Sequence, residues 1–155
     1  MFLAWIDEKH VRHRVFRAHA FWNDSAGLEE PIARHALGGY FSGFDALLYT
    51  SRAEGFGLMA LEAASTGLPV FHSGRTGMSE YAHVGIVVPS REVDAGEGRG
   101  TCFEVDTDAL ACELRRFADE PEPYLRKAAA DAEVVQRSFS WDATARAIEQ
   151  RLLAP

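Results

Sequence analysis

Cysteine is scarce in this sequence. Cys102 and Cys112 are the only two in 155 residues, and neither sits in a CxxC pair or a Cys/His ligand spacing. That count excludes a disulfide framework and a zinc-ribbon domain. The apolar neighbours of both cysteines predict reduced thiols in a core. Positive charge is also short, with 16 Lys and Arg against 23 Asp and Glu and a net charge of −7. Such a balance excludes the broad cationic footprint of a nucleic-acid-binding domain. The cluster from Lys9 to Arg17 is the local exception, and it reads as a solvated face with buried apolar residues between. Long hydrophobic runs are missing too. Met1–Ile6 is apolar but runs straight into Asp7-Glu8-Lys9, too short for a signal-peptide core or a membrane span. No membrane span is expected, and the expected compartment is the cytoplasm.

What remains is ordinary for one soluble domain, 47% hydrophobic and 25% charged. A chain of this size buries about two-thirds of the surface it exposes when unfolded, enough for a real core. Residues 1–27 carry little pattern, and Phe2, Trp5, Phe21 and Trp22 read equally as core or as exposed apolar surface. Glu29 to Tyr40 is predicted helical, with Pro31 in its first turn and Gly38-Gly39 blurring its end. Asp45–Tyr49, Pro69–His72 and Gly85–Pro89 are short apolar runs of buried-strand type. Between them lie a helix over Leu58–Thr66, stopped by Gly67, and a short helix around Ser79–His83. Arg91–Gly100 is polar and glycine-rich and reads as a loop. Asp108–Ala118 and Glu122–Arg137 are predicted helices. A last helix repeats Trp141, Ala145, Ile148 and Leu152 on one face, with Ser140 as N-cap. Strands alternating with helices specify an α/β domain with a mainly parallel sheet, and one domain over 1–155 is expected.

The informative stretch runs from Tyr49 to Glu62: a buried strand, a loop containing Gly55 and Gly57, then a helix. In open parallel sheets, loops at the carboxyl ends of strands bind ligands. A helix N-terminus offers unpaired N–H groups and partial positive charge to a phosphate, and glycines admit close approach. Glu54 before the helix and Glu62 within it could each accept a pair of sugar hydroxyls. From the residues alone, Glu54 serves equally as a helix-dipole partner and Glu62 as a solvated helix residue. His72 and His83 read as satisfied structural histidines, with no general base beside either.

Arg52-Ala-Glu54-Gly-Phe-Gly-Leu-Met-Ala-Leu-Glu62-Ala-Ala-Ser-Thr-Gly67-Leu-Pro-Val70 resembles the signature of family 4 of the retaining glycosyltransferases, two glutamates separated by seven residues and then Gly-x-Pro-Val. Gly77-Met-Ser-Glu80 is similar to the family's Gly-Gly-x-x-Glu turn, and Asp108–Ala111 and Phe139–Asp142 are similar to its later helix starts. The likeness covers roughly residues 30–155. It implies a Rossmann-like parallel sheet flanked by helices, the C-terminal, donor-binding half of a GT-B fold. By the same resemblance Glu54 would be the catalytic-site glutamate at the donor sugar. Gly55, Phe56, Gly57 and Leu58 would offer amides to sugar and diphosphate, Glu62 would hold the ribose, and Gly77 and Glu80 would shape the next loop. The implied ligand is a UDP- or GDP-linked sugar, transferred with retention, with no cofactor or metal.

Two departures from the family pattern stand out. Thr76 occupies the place of the first glycine in the Gly-Gly pair, which predicts a narrower loop. The upstream Gly-Arg turn and Lys-Gly pair that grip the diphosphate are not found, nor is an acceptor-binding domain. Arg52 and Arg75 are the candidate substitutes for those cations, although both also read as plain surface arginines. The expectation is therefore a donor-binding domain, incomplete and inactive alone, acting as a homodimer or with a separate N-terminal half. Its rivals are a non-catalytic interaction or regulatory module and, further off, a nucleotide-sugar epimerase.

Overall fold

The computed structural model describes residues 37–153. Residues 1–27, their aromatics and most of the helix expected over Glu29–Tyr40 lie outside that range. Helix α1 (Leu37–Phe41) runs through Gly38-Gly39 and is followed by β1 (Leu47–Tyr49), α2 (Leu58–Ser65) and β2 (Val70–His72). A 3-10 turn over Thr76–Tyr81 leads to β3 (Ile86–Val87). That turn starts three residues before the helix expected around Ser79. The three strands form one parallel sheet in the order β1-β2-β3, with Leu47 opposite Val70 and Phe71 opposite Ile86. Parallel neighbours need crossovers, and α2 and the 3-10 turn supply them.

Alternation along the strands divides the core between the two faces of the sheet. Val70 joins Leu61, Ala64, Met78, Tyr81 and Val135 in one cluster, with Leu47 and Tyr49 at its edge. Phe71 turns to the other face and packs with Val88 and Leu110, with Leu48 at the margin of that cluster. The ring of Phe71 meets Phe117 at 5.8 Å and Tyr124 at 6.0 Å between centroids. Helices therefore cover both faces. This is a Rossmann-like α/β sheet, the architecture of one half of a GT-B fold, as the resemblance implied.

Beyond the sheet, β4 (Ser90–Asp94) and β5 (Thr101–Val105) form an antiparallel hairpin. The loop expected over Arg91–Gly100 is thus corrected: residues up to Asp94 form strand, and only Ala95–Gly100 turns. Arg91, Glu92 and Asp94 are exposed and charged, so this ribbon shows no hydrophobic alternation; its backbone ladder alone makes it a strand. Helices α3 (Thr107–Asp119), α4 (Glu122–Ser138) and α5 (Trp141–Leu152) complete the described chain. Asp106 caps α3 by accepting from the amides of Asp108 and Ala109, both at 3.0 Å. Ser140 caps α5, as expected, accepting from Ala143 at 3.1 Å. Each such cap stabilises by about 1 kcal/mol.

One sequence expectation about burial differs from the structure. Cys102 is buried on β5, but Cys112 is exposed, because α3 turns Leu110 and Ala111 inward and Cys112 away. Helix α5 buries none of its residues: Trp141 is 86% exposed and Leu152 78%. Among the described residues no helix is long and apolar enough to cross a membrane.

Candidate functional site

The loop between β1 and α2 is half exposed, yet four hydrogen bonds at three points hold it. Near its start, the Phe103 amide on β5 donates to the Arg52 carbonyl at 2.9 Å. In its middle, the Glu54 amide donates to the Thr76 hydroxyl at 3.0 Å, and the Glu54 carbonyl accepts from the Gly77 amide at 3.1 Å. At its end, the buried Tyr81 hydroxyl donates to the Gly57 carbonyl at 2.8 Å. The loop is set before any ligand arrives.

Two glycines have steric reasons to be there. Gly57, the N-cap of α2, has φ +84, and a Cβ on it would collide with the Tyr81 hydroxyl and come within 3.0 Å of Met78. A Cβ on Gly77 would run into the carbonyl of Gly55 and lie 2.6 Å from the Cα of Phe56. The two loops therefore touch backbone to backbone, which only glycine permits. Helix α2 starts with no side-chain cap. The amides from Gly55 to Met59 form no hydrogen bond among the described residues, so they point unpaired from a helix start with its partial positive charge. Phe56 and Leu58 flank them, both exposed.

Electrostatics sorts the polar groups. Burial, then a hydrogen bond to the Glu54 carboxylate, pushes the Tyr49 phenol well above its ordinary range, so it stays protonated and donates to Glu54. Burial and then the Glu54 charge raise Tyr81 likewise. Glu62 is half-buried in the second turn of α2 and forms no ion pair among the described residues. Glu80 is exposed on the 3-10 turn, and its carboxylate forms no hydrogen bond or ion pair with the other candidates among the described residues.

The two candidate arginines differ. Arg52 pairs with Glu104 on β5 at 3.1 Å, and that carboxylate also holds Arg91 at 3.2 Å. Arg75 has no carboxylate partner among the described residues. Its Nε donates to the Ser90 hydroxyl at 3.3 Å, and its guanidinium lies 5.4 Å from the centroid of the Phe103 ring. Arg75 is thus the cation with charge to spare. His72 is buried, its Nε2 bonded to the Val84 carbonyl at 2.7 Å and its Nδ1 accepting from the Gly74 amide at 3.1 Å. Those partners fix a neutral ring protonated on Nε2, and burial pushes its pKa below the ordinary value, so His72 is structural. His83 is exposed and offers its carbonyl to Lys127. Among the described residues no three His, Cys, Asp or Glu side chains gather as a metal site would require.

Sequence reasoning missed Tyr49, Tyr81 and Phe103 as parts of this site. Only the Met78 and Tyr81 pair, three apart after Gly77, carried a signal of inward packing.

Comparison with known proteins bears on this arrangement. A profile described as Family 4 Glycosyltransferase in conflict systems matches residues 30–148. Among curated relatives, glycogen synthase of Mycobacterium tuberculosis (strain CDC 1551 / Oshkosh) is 30% identical over 150 residues, which is 97% of this chain and 32% of that protein. D-inositol 3-phosphate glycosyltransferase of Streptomyces griseus subsp. griseus is 35% identical over 124 residues, 80% of this chain and 24% of that protein. The same enzyme from Kineococcus radiotolerans is 30% identical over 127 residues, 80% of this chain and 28% of that protein. The chain therefore spans about a quarter to a third of the length of the relatives it matches. With the match running over residues 30–148, the segment that holds both glutamates and both clamped loops, this chain belongs to the family 4 glycosyltransferases.

Proposed function

We propose that this domain binds a nucleotide-diphosphate sugar across the start of α2 and presents it for retaining glycosyl transfer. One observation carries the reading: α2 opens with unpaired amides on a loop already fixed by Thr76, Gly77 and Tyr81, between the carboxylates of Glu54 and Glu62. The amides of Gly55, Phe56, Gly57 and Leu58 receive the diphosphate. Glu54 accepts hydroxyls of the donor sugar, and Glu62 those of the ribose. Arg75 meets the charge that develops on the leaving diphosphate, with Arg52 as a second, partly engaged cation. Gly77 and Glu80 shape the adjoining loop. The sugar nucleotide, linked to UDP or GDP, is a substrate, and the reading requires no resident cofactor or metal. The relatives' names point to different products, which supports the shared segment as the donor side. Transfer also needs an acceptor held at near-attack distance. In this reading a surface outside this domain holds the acceptor, in the cytoplasm, and the domain does not transfer alone.

A non-catalytic interaction module is the second reading, favoured by the exposed apolar stripe of α5. Calorimetry with UDP, GDP and ADP separates the two. The parent protein is expected to bind a nucleoside diphosphate, and Glu62→Ala to weaken that binding roughly ten- to a hundredfold, the effect of one charge-assisted contact. Equal affinity in both proteins removes the role of Glu62. No binding to the parent favours the interaction module.

A further inference from the structure

Thr76 has φ +54, in the left-handed region that β-branched residues rarely enter. A glycine would adopt that backbone without strain, so the side chain has to account for the conformation. Its hydroxyl both accepts and donates. The oxygen accepts from the Glu54 amide at 3.0 Å, across 22 residues of sequence, and its proton goes to the Arg75 carbonyl at 2.7 Å. An N–H can only donate, so these roles are not interchangeable. The same hydroxyl therefore ties the residue bearing the free cation to the residue bearing the loop carboxylate. Backbone outliers of this kind gather where a site is held ready for a ligand.

We propose that Thr76 is a positioning residue that sets Glu54 for the sugar moiety of the donor and so makes the site prefer a sugar nucleotide over the free diphosphate. The inference rests on the donor-binding reading above. It follows from how the loop is divided. Tyr81 and α2 hold Gly57 and the amides beyond it, whereas Thr76, Gly77 and Tyr49 hold Glu54. Releasing the hydroxyl loosens the carboxylate end of the loop and leaves the amide end in place.

The test is calorimetry with UDP against UDP-glucose, GDP against GDP-mannose and ADP against ADP-glucose, on the parent, Thr76→Gly, Thr76→Ala and Thr76→Ser. Thr76→Gly relaxes the backbone and is expected to fold at least as well as the parent. Both hydroxyl-free variants should lose about tenfold in affinity for the sugar nucleotide while keeping the free diphosphate within about twofold. Thr76→Ser should recover most of that loss. A merely structural role would move both ligands together, and that outcome overturns the proposal. Unchanged sugar-nucleotide affinity in Thr76→Gly overturns it too, with the donor-binding reading intact. A parent that binds none of the six ligands overturns both.

Discussion

At the scale of single residues, two glycines separate backbone strain from crowding. Gly57 and Gly67 have nearly the same conformation, φ +84 and +81. A Cβ on Gly67 meets nothing within 4 Å, whereas one on Gly57 meets Tyr81, Met78 and Tyr49. Gly67→Ala is therefore expected to cost about 1–2 kcal/mol, the left-handed penalty alone. Gly57→Ala adds overpacking and displaces the Tyr81 hydroxyl from its carbonyl, for a further loss of about 2 kcal/mol or more. Urea unfolding of the two variants checks this through their midpoints. Equal losses would mean that Tyr81 does not constrain the loop.

Among the elements, the β4–β5 hairpin was the least legible in the sequence. The sheet strands were readable because Val70, Phe71 and their neighbours form unbroken apolar runs, and α5 because Ser140 stands before a clear helical stripe. The hairpin had neither cue. β4 sets the adjacent charges Arg91 and Glu92 between Ser90 and Val93, and the order of the hairpin comes from the ladder pairing Arg91 with Glu104 and Val93 with Cys102. For the same reason the clamps on the glutamate loop were invisible: the partners Thr76, Tyr81 and Phe103 lie 22 or more residues away from it, beyond any local periodicity. The glutamate pair and its glycines, by contrast, were readable as a pattern, and Gly57 and Gly77 have steric reasons in the fold. The hairpin also sets the charge of the site, because Glu104 engages Arg52. If Arg52 can reach the diphosphate, Glu104→Gln should tighten nucleoside diphosphate binding about threefold at low salt, since exposed ion pairs are weak. Unchanged or poorer binding would remove Arg52 from the contacts and leave Arg75 as the cation.

At the scale of the whole molecule, the described residues give the sheet two packed faces and leave one helix open. Trp141, Ala145, Ile148 and Leu152 follow a 4-3-4 spacing that reads the same in either direction. Two copies in antiparallel array would bring Trp141 level with Leu152 of the partner subunit, and Ala145 level with Ile148 of the partner subunit, large against small. Contiguous apolar surface of this kind usually marks an interface. Light scattering at micromolar concentration is therefore expected to report a dimer, and Ile148→Glu to return it to monomer; a clean monomer mass for the parent would exclude the pairing. The exposed indole also gives the helix an optical gauge. With Trp5 and Trp22 changed to Phe, all tryptophan emission comes from Trp141, whose ring stands almost wholly in water. Its emission should lie at the long-wavelength end and be quenched readily by iodide. A shift to shorter wavelength as concentration rises would then time and titrate the covering of that face, whatever happens at the sugar site.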